Sequence, residues 1–192
     1  PKYDVAGSGY RQPGSAWKPI VYSAGFDRGA VTPGTLLPDI TTEFSRDWFP
    51  RDADQRERGP VLMRDALSYS LNIPTIRALD RIGVESVADL SKSMGLTFPR
   101  GDRHLLQAGL AGALGTAETN MVEPLTILEI QDSQGNIVPS TGLNAPRQVV
   151  SQQTAWLLTD ILKDSTDPVI NSIFGPRLQV VNGPVSDLNP KG

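Results

Sequence analysis

Cysteine is absent from the 192 residues. That excludes disulfides, thiolate metal sites and a cysteine nucleophile, while leaving the redox compartment open. Histidine is almost absent. His104 stands alone, with no acid or hydroxyl partner suggested by the sequence, and reads as a surface or structural residue rather than a catalytic base. No run approaches the roughly 18 consecutive apolar residues of a membrane span, and no signal peptide opens the chain. The stretch is therefore expected to be soluble as it stands, with any membrane anchor upstream. Concentrated positive charge is missing too. Lysine and arginine total 18 against 21 acidic residues, scattered along the chain, for a net charge of −3. That pattern argues against nucleic acid as a partner. Repeats and low-complexity tracts are also lacking. What remains, 39% apolar and 20% charged residues, suits one domain with a real core.

Two short motifs carry chemistry: Ser15-Ala16-Trp17-Lys18 and, 55 residues later, Ser70-Leu71-Asn72. Pro13-Gly14 mark a helix start, and on a helix positions i and i+3 share a face. The Lys18 amine is thus expected to reach back to the Ser15 hydroxyl and activate it without histidine. A lysine can act as that base if burial or positive potential lowers its pKa. The second motif adds a hydroxyl and a carboxamide, suited to proton relay and to orienting an amide. With 15 Ser, 5 Lys and 7 Asn in the chain, chance alone predicts roughly 0.4 and about 0.5 matches to the two patterns. Without context, an N-cap serine, a solvated lysine and a helix end at Asn72 are the simpler readings.

Local patterns place these motifs. Residues 15–28 read as a helix buried on several sides, with Pro19 tolerated because it lies near the first turn. Residues 29–59 read as a long surface loop. Its charge run from Arg51 to Arg58 resembles a metal site (Asp52, Asp54, Glu57) only superficially and is expected to be solvated. Gly59-Pro60 is expected to open a second helix, Asn72-Ile73-Pro74 to break it and start a third, and residues 84–94 to form a fourth. Residues 124–138 read as a β-hairpin turning at Asp132–Asn136, and Leu178–Val181 as a strand. A last amphipathic helix spans Pro146–Lys163, with Ser151 as cap and Ala155, Leu158 and Leu162 on one face. Trp17, Trp48 and Trp156 are read as core or cleft wall.

The context decides between these readings. Arg11-Gln-Pro-Gly-Ser15-Ala-Trp-Lys18-Pro-Ile-Val-Tyr22 closely resembles the nucleophile segment of class A penicillin-binding proteins. Ala66-Leu-Ser-Tyr-Ser70-Leu-Asn72-Ile-Pro74 resembles their second motif, and Leu114-Gly-Thr-Ala-Glu118 a further segment. The resemblance runs over most of residues 1–180. It implies an α+β fold: the helix-dominated part of a penicillin-binding/β-lactamase-like transpeptidase domain, with much of the central antiparallel sheet missing from the chain.

It also implies a function, peptidoglycan D,D-transpeptidation, with Ser15 as nucleophile, Lys18 as base, Ser70 as proton relay and Asn72 holding the lysine and the substrate amide. Stem peptides and β-lactams are the implied partners, and no metal or organic cofactor is required. The implied whole protein is bifunctional, with a glycosyltransferase domain and a membrane anchor, working outside the bacterial cytoplasmic membrane. A non-catalytic β-lactam sensor or a scaffolding module on the same fold is the alternative. A β-lactamase is disfavoured by the Arg-Gln-Pro-Gly lead-in.

The sequence departs from the family in three places. Trp48-Phe-Pro-Arg-Asp52 stands where relatives more often carry a Tyr–Pro–Asn pattern, which puts that loop's substrate contacts in question. Residues 1–192 are expected to be a partial transpeptidase domain with a splice near 119–121, where a helix and a glycine-containing stretch would otherwise intervene. The third motif, K-T-G, does not occur, since Lys191-Gly192 lacks the hydroxyl residue. The segment by itself is accordingly expected to be poorly active.

Overall fold

Pro19 settles where the first helix can begin. A computed structural model, describing residues 13–97, 120–121, 134, 148–172 and 174–175, starts with a 3₁₀ turn over Gly14–Trp17 that runs into α1, Lys18–Asp27. Pro19 occupies the second position of α1, where a missing amide forfeits no intrahelical bond. Trp17, Val21, Tyr22, Ala24 and Phe26 are all buried, so α1 is enclosed rather than laid on a surface. Gly25 lets it be approached closely: a Cβ there would lie 2.5 Å from Val31 Cγ2 and 2.7 Å from Ile82 Cδ1.

The stretch read as a surface loop is tied down. Strand β1, Leu36–Asp39, pairs antiparallel with β2, Gly59–Leu62, with Leu37 opposite Val61 and Pro38 opposite Pro60. Two residues without amide hydrogens can face each other only at a pair that exchanges no backbone bonds. Gly59-Pro60 therefore belongs to a strand and not to a helix start. Helix α2 opens later, at Met63–Ser68. After a tight turn follow α3, Asn72–Ile82, and α4, Val84–Ser93, with Gly83 between them at φ 86°. Strands β3, Leu96–Thr97, and β4, Asn120–Met121, form a second short antiparallel pair.

The last described helix, α5, spans Gln152–Ser165. Ser151 caps it, its hydroxyl accepting from Thr154 N at 3.2 Å. Asp27, at the end of α1, accepts from Ser151 N and Thr154 Oγ1 at 2.7 and 3.1 Å. Arg64 of α2 reaches Asp160 and Asp164 at 2.5 and 3.0 Å. The buried face of α5 holds Thr154, Ile161 and Ser165, flanked by Leu158 and Leu162, whereas Ala155 is exposed. Replacing Ala155 by Thr154 turns the expected face by one residue, because the Asp27 bond pulls Thr154 inward. The 124–138 hairpin (apart from Gln134, in a turn), the 178–181 strand, His104 and the 114–118 segment lie outside the described residues. Helices α2, α3, α4 and α5 all pack on α1, giving a helix-dominated α+β arrangement whose axis begins at Lys18.

Candidate active site

Burial on α1 turns Lys18 from a surface residue into an interior one. It is 1% exposed, a position lysine takes only when its ammonium is matched. The match comes from 52 and 54 residues downstream. Nζ donates to the Ser70 carbonyl at 2.5 Å, the Ser70 hydroxyl at 3.1 Å and Asn72 Oδ1 at 2.7 Å. Burial lowers its pKa from 10.5 to about 8, against the opposing pull of the Asp52 carboxylate. A neutral amine is thus accessible near physiological pH, as a general base requires.

The turn that supplies these acceptors has a specific form. Leu71 N donates to Ala66 O at 2.8 Å and Ser70 N to Leu67 O at 2.9 Å, the paired bonds of a Schellman ending to α2. Ser70 occupies the left-handed position of that motif, at φ 54°, where glycine is the usual residue. Asn72 does not end a helix, as the simpler reading had it. It is the first residue of α3, and its Nδ2 donates to Arg51 O at 2.7 Å.

Most of the charge run Arg51–Arg58 is solvated as expected, with Arg51, Asp54, Arg56 and Glu57 exposed, but Asp52 and Arg58 turn inward. Asp52 is 3% exposed and Asp39 is fully buried. Asp52 Oδ1 accepts from the amides of Asn72 and Ile73. The third residue of α3 is Pro74, which has no amide to satisfy, so one carboxylate oxygen completes the cap. Arg58 braces this corner, with Nη1 3.3 Å from Asp39 Oδ2 and 3.7 Å from Asp52 Oδ2, and Nη2 2.5 Å from Asp54 Oδ2. Desolvation and the neighbouring Asp52 raise the Asp39 carboxyl from 3.8 to about 6. Sequence patterning missed this cluster because a run of alternating charges carries no sign of which members turn inward. Among the described residues no group of His, Cys, Asp or Glu is placed to hold a metal ion, and no helix is long and apolar enough to cross a membrane.

Ser15 sits at the exposed edge of the same site. It lines a cleft of about 390 Å³ together with Lys18 and Ser70. The expected Ser15–Lys18 hydrogen bond is not among the bonds of the amine, all three of which go to the second motif. Sharing one face brings both residues to the cleft, but the amine is taken up by the acceptors of the second motif. Asn72 stands behind the amine and does not line the cleft. The opposite wall comes from Ser68 of α2, Leu162 and Ser165 of α5, and Phe174.

Asn171, fully buried, fastens that wall. Its Nδ2 donates to Ser68 O at 2.8 Å and its Oδ1 accepts from Phe174 N at 2.9 Å. No short motif marked Asn171, whose role depends on contacts 103 residues apart. Of the tryptophans, Trp17 is buried within the turn that carries Ser15 and Trp48 is partly buried, but Trp156 is 65% exposed and no part of core or cleft.

Residues 4–100 match the family model described as "Penicillin binding protein transpeptidase domain". The chain is 34% identical over 165 residues to Penicillin-binding protein 1F of Bacillus subtilis, covering 80% of this chain and 23% of that protein. It is 31% identical over 172 residues to Penicillin-binding protein 1C of Escherichia coli, covering 88% and 22%. The chain thus spans less than a quarter of these curated relatives. Among solved structures it is similar to Penicillin-Binding Protein 1A from Haemophilus influenzae (TM-score 0.65, 24% identity, 85% of this chain and 31% of that one). It also resembles penicillin-binding protein A from M. tuberculosis, solved as an imipenem acyl-enzyme complex (TM-score 0.69, 15% identity, 94% and 48%).

Proposed function

The chain belongs to the penicillin-binding protein transpeptidase family, and on that premise we propose that it is the acylating part of a serine D,D-transpeptidase that cross-links peptidoglycan. One observation carries the reading. A fully buried lysine with a depressed pKa opens onto the same cleft as Ser15 and is held by Ser70 and Asn72.

In this reading the neutral Lys18 amine takes the Ser15 proton as Oγ bonds to the carbonyl carbon of a D-Ala-D-Ala stem peptide. The tetrahedral intermediate collapses with cleavage of the C–N bond. The departing D-Ala amine receives its proton from the Lys18 ammonium through the Ser70 hydroxyl. An amine of a neighbouring stem peptide then attacks the ester, returns a proton by the same route and frees Ser15. The backbone amide of Ser15 is one donor to the oxyanion. The second belongs to a strand bearing a K-T-G motif, which these 192 residues do not contain, and one such donor is typically worth 10²–10³ in rate. The full-length protein, in this proposal, also carries a glycosyltransferase domain and a membrane anchor and works at the extracytoplasmic face of the bacterial cytoplasmic membrane. β-Lactams acylate Ser15 in place of substrate.

The test is incubation of the full-length protein with a labelled penicillin. One covalent adduct is expected on the peptide containing Ser15, absent from Ser15→Ala. Label retained by Ser15→Ala overturns the assignment of the nucleophile. Acylation without turnover of a stem-peptide mimic identifies a sensor instead of a transferase.

A further inference from the structure

Asp52 touches neither Ser15 nor the cleft, yet one of the acceptors that hold Lys18, Asn72, is placed through it. Its Oδ1 binds the first two amides of α3. The backbone carbonyl of the residue before it, Arg51, receives the carboxamide of Asn72. Asn72 is therefore clamped at its amide by Asp52 and at its side chain by Arg51, which leaves Oδ1 aimed at the Lys18 amine. An aspartate in this place does two things that a neutral residue does not. It puts a negative charge at the positive end of a helix dipole, and it puts that charge close enough to bias the protonation of a buried amine.

We propose that Asp52 is a positioning residue for Lys18, setting both the placement of Asn72 against the amine and the pH at which the amine becomes a base. The inference rests on the proposed function only where its readout is acylation. The groups facing Asp52 are Lys18 and Tyr22 from α1, Asp39 from β1, and Arg58 with Asp54 from its own loop. Arg58 is shared among three carboxylates. Asp39 Oδ1 and Asp52 Oδ2 are both buried, and the two carboxyls face each other within hydrogen-bond reach. The two buried carboxyls thus meet a single arginine, which Asp54 also engages, and Lys18 is the buried cation across from Asp52. Burial pushes the lysine toward neutrality and Asp52 restrains it, so the value of about 8 is a balance of the two.

The experiment compares Asp52→Asn and Asp52→Ala with the wild type in the full-length protein. Two readouts are used: the pH profile of acylation by labelled penicillin, and the Lys18 side-chain titration followed by NMR of labelled lysine, assigned by its loss in Lys18→Met. Asp52→Asn keeps an oxygen to accept from Asn72 N but removes the charge. Both readouts are expected to shift to lower pH by about half a unit or more, with the plateau rate within a few-fold of wild type. Asp52→Ala loses the cap as well, and its plateau rate is expected to fall at least about tenfold.

An Asp52→Asn protein whose Lys18 titrates at the wild-type pH overturns the electrostatic role. An Asp52→Ala protein that is folded and acylates at the wild-type rate overturns the positional one. A wild type that takes no label, with a Lys18 titration that still moves in Asp52→Asn, sinks the proposed function and upholds this inference.

Discussion

The Ser70 carbonyl lies 2.5 Å from the Lys18 amine, closer than the Ser70 hydroxyl at 3.1 Å. The backbone of a left-handed turn residue, and not its side chain alone, thus holds the candidate base. Two roles of Ser70 become separable. Removing the hydroxyl leaves the carbonyl in place, while the backbone conformation depends on whether the substitute tolerates φ 54°.

Ser70→Gly and Ser70→Ala should therefore diverge in stability while both lose the relay. Glycine adopts the left-handed region freely, and a residue with a Cβ is disfavoured there by roughly 1–2 kcal/mol. Ser70→Gly is expected to be about 1 kcal/mol more stable than Ser70→Ala in denaturant, the low end of that range because the unfolded-state entropy of glycine acts the other way. Acylation by penicillin should fall by about 10² or more in both. An alanine variant more stable than the glycine variant would contradict the assigned conformation.

Lys18→Arg tests the base directly. Arginine keeps the charge but does not deprotonate in the accessible range, and its planar fork does not reproduce three convergent bonds from one nitrogen. Acylation is expected to fall at least about 10²-fold. A fall of less than threefold assigns Lys18 to structure alone.

Much of this site was legible in the sequence, and the reasons it was not fully so are local. The grouping of Ser15, Lys18, Ser70 and Asn72 was readable because spacing and flanking residues mark candidate chemistry over a few positions. The structure sets Lys18 against Ser70 and Asn72 and lines one cleft with Ser15, Lys18 and Ser70. The break at Asn72-Ile73-Pro74 was readable because proline dictates where a helix can start. The expected Ser15–Lys18 bond failed because helical adjacency states which residues share a face, not which acceptor wins. Lys18 has three acceptors, on two residues more than 50 positions away. Pro38 and Pro60 hid a strand pair for the opposite reason: prolines suggest loops, yet two of them facing each other fit a ladder position that needs no amide. Asp52 and Arg58 were misread as solvated with the rest of their run because their inward turn meets Asp39, which that same pairing places beside them.

The pH dependence of stability should show two separate windows. The folded Lys18 titrates at about 8 instead of 10.5, so between these values the folded state binds fewer protons than the unfolded one. The burden of a buried cation is complete below about 8 and disappears as pH rises through 10.5, so stability rises across that interval. Asp39 works the other way. Its folded value of about 6 exceeds 3.8, so its contribution is complete below 3.8 and lost as pH rises through about 6. Melting temperatures of the full-length protein, measured against Lys18→Met and Asp39→Asn across pH, should assign one window to each residue. A Lys18→Met variant whose difference from wild type is the same at pH 7 and pH 10 would contradict the buried cation.

The far wall of the cleft offers the last test, because it is held by a residue with no part in the proton path. Asn171 joins the end of α2 to the segment bearing Phe174, through Ser68 O at 2.8 Å and Phe174 N at 2.9 Å. Tyr69 adds a bond from its hydroxyl to Ile170 O at 2.8 Å. Asn171→Ala strands both Asn171 partners in a buried place, at a cost of about 1–3 kcal/mol. That cost falls on a chain end of α5 rather than on α1, and local opening is the cheaper response. The Phe174 amide is therefore expected to exchange with deuterium at least about tenfold faster, given that 1.4 kcal/mol is about a factor of ten. Amides of α1 and α3 should keep their protection, and penicillin should still label Ser15, since the Lys18 bonds to Ser70 and Asn72 do not pass through this wall. Loss of protection in α3 together with Phe174 would show that the wall and the base are one cooperative unit, and the separation argued from these contacts would fall.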